Sequence, residues 1–159
     1  MTHDKGRGTW RPGVVAGMVL RAARLSAQVT EESLAGASGV SQDTIRAWEE
    51  GSAPLASVPL PEVENLQAAL RRAGANPHVV ADFVAAAWCD LYIGALADDE
   101  DTTCLMADPI SHDVAFGELM LWALGGHIPP RYQPYAEQGP LLTDTTMIGR
   151  LISSRHWPT

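Results

Sequence analysis

Apolar residues recur through most of the sequence at the three- and four-residue spacing that is typical of amphipathic helices. The spacing predicts a first helix over residues 14–25. Two short helices follow, and Thr30 and Ser41 stand where a hydroxyl can cap each N-terminus. Further helices are predicted over residues 60–74, 78–97 and 143–154, and from Asp108 or Ser111 to Leu124. No segment indicates a strand, so the sequence predicts an all-α protein.

Glycine and proline divide this helical pattern into three regions. Residues 1–13 contain four glycine or proline residues and show little apolar periodicity, which predicts a flexible basic arm. A small helical domain is predicted over residues 14–74, because the residues from Gly74 to Pro77 form a strong helix breaker. An acidic α-helical region is predicted over residues 78–159, in which the proline-rich residues 127–140 form no regular element.

The charge is distributed unevenly along the chain, whose net charge is −8. The first thirty residues hold five basic side chains and one acidic one, whereas residues 55–159 hold five basic and thirteen acidic ones. This distribution is typical of a protein that presents one end to a polyanion and repels it elsewhere. Ten arginines against one lysine also indicate a GC-rich bacterial genome, such as that of an actinobacterium.

The residues of the two short helices form a distinct motif. Thr30-Glu31-Glu32-Ser33-Leu34-Ala35 opens the first helix, Gly39-Val40-Ser41 makes the turn, and Thr44-Ile45-Arg46-Ala47-Trp48-Glu49-Glu50-Gly51 forms the second. This succession resembles the lambda-repressor-like (XRE/Cro) family of helix-turn-helix DNA-binding domains, and the resemblance covers about residues 14–74. Its scaffold positions make the turn or pack between the helices, and they are Leu34, Ala35, Gly39, Val40, Ile45 and Trp48.

The resemblance implies that the second short helix is a recognition helix, which enters the major groove of double-stranded DNA. Base contacts are then expected from Gln42, Asp43, Arg46 and Ala47. Gln42 is well suited to this role, because its amide can both donate to and accept from an adenine edge. Contacts with the DNA backbone are expected from Ser41 and Thr44, and from the preceding basic residues Arg7, Arg11, Arg21 and Arg24.

One residue departs from the family pattern. Glu31 occupies a position where the family usually has a glutamine whose amide meets a phosphate, and a carboxylate cannot donate to that group. Together with Asp43 it makes the expected DNA surface less basic than usual. We therefore expect DNA binding to depend on the arm and on the first helix.

Catalytic and metal sites find little support in the sequence. Cys89, Cys104, His112 and His127 lack zinc-ligand spacing, and no nucleophile or phosphate-binding motif is present, so we expect neither an enzyme nor a cofactor. Cys89 is expected to be a packed apolar residue. The C-terminal aromatic residues are expected to form ordinary core, with a ligand pocket as the alternative; they are Trp88, Tyr92, Phe116, Trp122, Tyr132 and Tyr135.

The resemblance and the charge distribution together predict a sequence-specific DNA-binding transcriptional regulator in the cytoplasm, associated with the nucleoid when bound. We expect it to occupy its operator as a homodimer, paired through the helix over residues 78–97 by Phe83, Trp88, Leu91 and Tyr92. Two alternatives stay open. One is a protein-interaction module, such as an antitoxin or regulator-binding protein, whose acidic C-terminal region meets a basic partner; the other is a ligand-sensing regulator. No apolar run reaches the roughly 20 residues of a membrane span, and no membrane partner is expected.

Overall fold

The computed structural model of the chain describes residues 12–97, 113–136 and 141. All regular secondary structure within them is helical, as the sequence predicts. The α-helices are α1 (Val14–Ala27), α2 (Glu31–Ser38), α3 (Gln42–Glu49), α4 (Leu60–Arg72), α5 (Pro77–Ala81), α6 (Phe83–Ala97) and α7 (Val114–Gly125). Short 3₁₀ helices lie at Leu55–Ser57 and Pro130–Tyr132. None of the described helices is long and apolar enough to cross a bilayer.

The N-termini of α2 and α3 are capped as the sequence predicts. The Thr30 hydroxyl accepts a hydrogen bond from the backbone N–H of Ser33, and the Ser41 hydroxyl accepts one from that of Thr44, both at 3.1 Å. Gly39 ends α2 in the left-handed conformation, with φ of +77°, so that the chain turns directly into α3. The two short helices are therefore confirmed with the starts that their caps predict, and α3 ends at Glu49, two residues before the predicted Gly51.

The apolar scaffold residues of the motif lie in the interior between α1 and α4. Ile45 is fully buried, and Leu34 and Trp48 keep no more than 4% of their surface exposed. Val40 packs against this core from the turn. Both short helices depend on this packing, because eight residues are too few for a stable isolated helix.

α1 passes very close to the C-terminal end of α3 at Gly17. A Cβ atom built at Gly17 would lie 2.4 Å from the carbonyl oxygen of Trp48 and 2.7 Å from that of Glu49, which real Cβ atoms essentially never do. Space at the crossing, and not backbone conformation, therefore requires glycine here. The close approach brings α1 directly against the helix that the sequence predicts to recognise DNA.

The prediction of one continuous helix over residues 78–97 is wrong, because the structure breaks this segment at Asp82 into α5 and α6. The Asp82 carboxylate accepts hydrogen bonds from Arg131 Nε and from the Tyr132 hydroxyl, both at 2.6 Å. These partners lie 49 and 50 positions further along the chain. The periodicity of residues 78–97 therefore carries no sign of the break.

α6 buries part of the set of residues that the sequence predicts at a dimer contact. Phe83 and Tyr92 are buried, but Val84 and Leu91 keep 55% and 49% of their surface exposed. The buried side continues through Ala86, Cys89, Asp90 and Ile93. Because α6 is apolar on nearly every side, its periodicity cannot tell which side faces the interior, and the contacts with α1 and α7 decide this instead.

α7 is buried on one side and exposed on the other. It follows the cap residue Asp113 and ends at Gly125, one residue beyond the predicted end at Leu124, and Val114 and Leu121 are 76% and 60% exposed. The residues that follow it, 127–136, contain only a short 3₁₀ helix, which confirms the irregular segment predicted there. The predicted starts at Asp108 and Ser111, the predicted helix over 143–154 and the arm residues 1–11 lie outside the described residues.

The described helices share one hydrophobic core. α1 contacts α3 and α4 of the predicted DNA-binding domain, and it also contacts α5 and α6 of the C-terminal region. Val19, Leu20 and Ile93 belong to the same buried cluster. The two predicted regions are thus joined through α1 by packing as well as by the chain between residues 74 and 78.

We expect Gly17→Ala to destabilise the protein by roughly 1–3 kcal/mol, because the added Cβ atom would force α1 and α3 apart. Gly36→Ala is the matched control. Gly36 lies in α2 with open space around it, and alanine there should raise the free energy of unfolding by about 0.5–1 kcal/mol. Urea unfolding followed by circular dichroism measures both effects. A Gly17→Ala variant as stable as the native chain would contradict the close crossing.

Candidate nucleic-acid interface

The polar residues of α3 lie together on the side of the helix that faces away from the core. Gln42, Asp43 and Arg46 are exposed, and Thr44 and Ala47 are half-buried beside them. The structure thus brings onto one surface the four residues from which the resemblance implies base contacts. We call the surface formed by Glu31, Glu32, Gln42, Asp43 and Arg46 the α2–α3 surface.

Two of the residues expected at the DNA backbone are bonded to each other. Ser41 Oγ accepts from the backbone N–H of Thr44 and lies 2.7 Å from Thr44 Oγ1. Two hydroxyls that share one hydrogen bond use only one of their two protons in it. The second proton is therefore available to an acceptor such as a phosphate oxygen.

The α2–α3 surface is acidic, and its arginine is already paired. Arg46 donates to Glu31 of α2 at 3.2 Å and lies 3.7 Å from Asp43 within α3. On this surface the acidic residues Glu31, Glu32 and Asp43 stand against this one arginine. Exposed pairs of this kind contribute little to stability, but they offset the positive charge that a polyanion would meet here.

Arg24 is oriented toward α3 and not toward solvent. Its guanidinium donates to both carboxylate oxygens of Glu49, at 2.5 and 3.0 Å, and to the carbonyl of Val29. The Arg24 and Glu49 side chains are only 12% and 7% exposed, and the hydrogen bond with Glu49 raises the pKa of Arg24. We therefore assign Arg24 to the contact between α1 and α3 and remove it from the expected phosphate contacts.

The other basic residues expected at phosphates fall into two groups. Arg21 is exposed on α1 and remains a candidate. Arg7 and Arg11 lie outside the described residues, so their expected contacts stay predictions.

Asp90 holds the N-terminal end of α1 from within α6. Its two carboxylate oxygens accept hydrogen bonds from the backbone N–H groups of Val15 and Ala16, each at 2.9 Å. The first N–H groups of a helix have no partner within the helix, and the positive end of its dipole favours a carboxylate. Burial raises the pKa of Asp90 to about 7, although these two bonds act in the opposite direction. The sequence signal for this role is the single charged residue of an otherwise apolar helix.

A second polar cluster joins the break between α5 and α6 to α7. Arg131 donates to Asp82 and to Glu118, both at 2.6 Å, and Tyr132 lies fully buried beside it. Burial and the bond to Asp82 raise the pKa of Tyr132. Two carboxylates therefore accept hydrogen bonds from the one arginine. These bonds account for the position of the 3₁₀ helix at Pro130–Tyr132.

The part of the chain that the structure describes contains no group of three or more His, Cys, Asp or Glu side chains that could hold a metal ion. Cys89 is fully buried, as predicted, and its burial raises the pKa of the thiol. Cys104 and His112 lie outside the described residues.

The aromatic residues of the C-terminal region pack against one another. Tyr92 meets Phe116 edge-on, with ring centroids 6.1 Å apart, and the centroids of Trp122 and Tyr132 are 5.1 Å apart. These contacts favour the core interpretation over a ligand pocket. An open cavity of about 420 Å³ is lined by other residues, namely Gly126, His127, Ile128 and Gln133.

Comparison with known proteins gives no relative for this chain. It matches no family model, no curated protein sequence and no solved structure. The resemblance of residues 14–74 to lambda-repressor-like domains therefore depends on the motif residues alone, and a function derived from it is a proposal.

We expect Asp90→Asn to be most destabilising at low pH. The pKa of Asp90 is about 7 in the folded chain against an ordinary value of 3.8. Its contribution to stability is therefore complete below about pH 4 and is lost as the pH rises through about 7. The difference in unfolding free energy between native chain and variant should narrow over this range.

Denaturant unfolding at a series of pH values measures this difference. Asp113→Asn is the matched control, because Asp113 caps α7 at the surface and asparagine caps nearly as well as aspartate. A gap between native chain and Asp90→Asn that stays constant or widens with rising pH would show that the pKa of Asp90 is not raised.

Proposed function

We propose that this protein is a sequence-specific DNA-binding transcriptional regulator in which α2 and α3 form a helix-turn-helix unit and α3 is the recognition helix. The observation that carries the proposal is that the motif residues divide into a buried set and an outward-facing set. The apolar scaffold residues are buried, and the residues expected to read bases share one outward side of α3. The left-handed Gly39 and the two hydroxyl caps support the same interpretation, because they make the short turn that the motif needs.

In this proposal the outward residues of α3 meet base edges in the major groove. Gln42 would donate one hydrogen bond to an adenine and accept another, and Asp43 would accept from a cytosine amino group. Ala47 would contact a thymine methyl group. Arg46 would have to leave Glu31, whose carboxylate is 3.2 Å away, before it could reach a base.

Phosphate contacts would come from few groups of the described residues. Arg21 is exposed on α1, and the Ser41–Thr44 pair has one hydroxyl proton to donate. Because Arg24 is bonded to Glu49, the arginines of the arm would supply most of the counterion release on which DNA affinity depends. Regulation would follow from occupancy of an operator, which controls access to a promoter.

Gln42→Ala should weaken binding to the preferred duplex by about 1–3 kcal/mol and relax the base preference at one position, because a bidentate contact is lost. The native chain first selects its preferred duplex from a random double-stranded library, and fluorescence anisotropy at fixed salt then gives Kd. Gln133→Ala is the matched control, since Gln133 is an exposed glutamine outside the α2–α3 surface. Failure of the native chain to select any sequence would rule out sequence-specific binding.

A second candidate function is a protein-interaction module, such as an antitoxin or regulator-binding protein. The observation in its favour is the acidity of the α2–α3 surface, whose arginine is held by Glu31 and Asp43. Residues 55–159 are acidic as well. A basic protein surface would be attracted to both parts of the chain.

Glu31→Gln distinguishes the two candidates. The substitution removes the charge of one of the two carboxylates paired with Arg46. It should therefore strengthen DNA binding by roughly 0.5–1 kcal/mol and weaken binding of an arginine-rich peptide by a similar amount. Glu64→Gln, at an exposed residue of α4, controls for the change in net charge. Strengthened DNA binding supports the regulator, weakened peptide binding alone supports the module, and no change in either would contradict both.

A further inference from the structure

Arg46 lies between two carboxylates of the α2–α3 surface. Its Nη2 atom donates to Glu31 Oε2 at 3.2 Å, and its Nη1 atom lies 3.7 Å from Asp43 Oδ1. The carboxylates come from different helices, because Glu31 begins α2 and Asp43 lies in the first turn of α3. The Arg46 side chain is 48% exposed, so a partner that approaches α3 meets the arginine together with both carboxylates.

A contact between Arg46 and a base would separate the arginine from Glu31. A guanine edge offers two neutral acceptors, O6 and N7, in exchange for the carboxylate. The Glu31 carboxylate, and with it that of Asp43, would then stand without its cation beside the phosphates of the duplex. Like charges that face each other across an interface oppose binding. A base contact by Arg46 therefore costs more at this surface than it would without Glu31.

We infer that Arg46 reads no base, and that it serves as the counterion with which Glu31 and Asp43 can face DNA. It stays between the two carboxylates when the duplex binds and offsets their repulsion of the phosphates. The base preference of α3 then comes from its other outward residues, Gln42, Asp43 and Ala47. The inference rests on the proposed function and deepens it, because it states which residues set the sequence preference.

Glu31 is the residue that changes the role of Arg46. The resemblance implies a base contact at Arg46, and the arginine lies exposed on the outward side of α3. The glutamine that the family usually has in place of Glu31 carries no charge, so an arginine beside it could leave for a base without exposing a carboxylate of α2. In this chain the departure from the family pattern both adds negative charge to the surface and holds its arginine. Arg46 is therefore a positioning residue, which acts through Glu31 and Asp43.

The base preference of an Arg46 variant tests the inference. The native chain selects its preferred duplex, and fluorescence anisotropy then gives Kd for this duplex and for its single-base variants. Arg46→Gln should raise all of these constants by a similar factor, roughly tenfold, because two uncompensated carboxylates repel every sequence equally. Gln42→Ala is the positive control and should change the preference at one position. Loss of a guanine preference in Arg46→Gln would overturn the inference.

The coupling between Arg46 and Glu31 distinguishes a counterion from a base or phosphate contact. For a counterion, Glu31→Gln should lower Kd for the preferred duplex roughly threefold in the native chain and roughly tenfold in combination with Arg46→Gln, where the carboxylate has lost its cation. An equal or smaller gain in the combined variant would overturn the inference, because a phosphate contact gives the equal gain and a base contact the smaller one. Arg21→Gln is the matched control at an exposed arginine of α1, and the gain from Glu31→Gln should be the same with and without it.

The outcomes separate this inference from the proposed function. A native chain that selects no duplex overturns the proposed function, and the inference falls with it. A native chain that selects a duplex, while Arg46→Gln fails either test, overturns the inference alone and leaves a DNA-binding protein whose arginine contacts a base or a phosphate. Circular dichroism of each variant separates a lost contact from a lost fold, and both substituted side chains lie outside the buried core.

Discussion

A buried carboxylate in α6 and two backbone N–H groups at the start of α1 determine how the helices of this protein are joined. Asp90 lies 75 positions after Val15, yet its oxygens are 2.9 Å from the N–H groups of Val15 and Ala16. Burial of a carboxylate is costly unless hydrogen bonds compensate for the lost water, and a helix N-terminus supplies both donors and a favourable dipole. A shift of either helix along the other would leave donors and acceptor unpaired, so the two pack in one register.

α1 extends this constraint to α3. Gly17 lets the two backbones approach closely, and the bond between Arg24 and Glu49 joins the C-terminal half of α1 to the end of α3. The outward side of α3 is therefore positioned by α1 as well as by the turn at Gly39. A change in the packing of α6 would reach the α2–α3 surface through a packed helix and not through a flexible linker.

Ion pairs within the chain reduce the positive charge that its arginines can offer to a partner. Arg24, Arg46 and Arg131 are each bonded to a carboxylate. Only Arg24 of these belongs to the first thirty residues, so the folded chain offers one basic side chain fewer there than a count along the sequence indicates. Attraction of a polyanion would depend on exposed arginines, which include Arg21 of α1 and Arg71 and Arg72 of α4, and on the arm. The acidic α2–α3 surface would instead attract a basic protein partner.

Local interactions were enough to predict much of residues 14–74. The caps at Thr30 and Ser41, the turn at Gly39 and the burial of Ile45 and Trp48 depend on neighbours a few residues away and on the helical period, which the sequence displays directly. The same period was informative for the α2–α3 surface, because residues that are not needed for the core must face outward.

Long-range packing set the features that the sequence could not. The partners of Arg24, Asp82 and Asp90 lie 25, 49 and 75 positions away, so no local sequence pattern indicates these contacts. α6 and α7 are apolar on nearly every side, and their periodicity therefore says nothing about which side is buried. The hydrogen bonds of Asp90 with α1 set the rotation of α6 about its own axis, and that rotation buries Ile93 while it leaves Val84 and Leu91 uncovered.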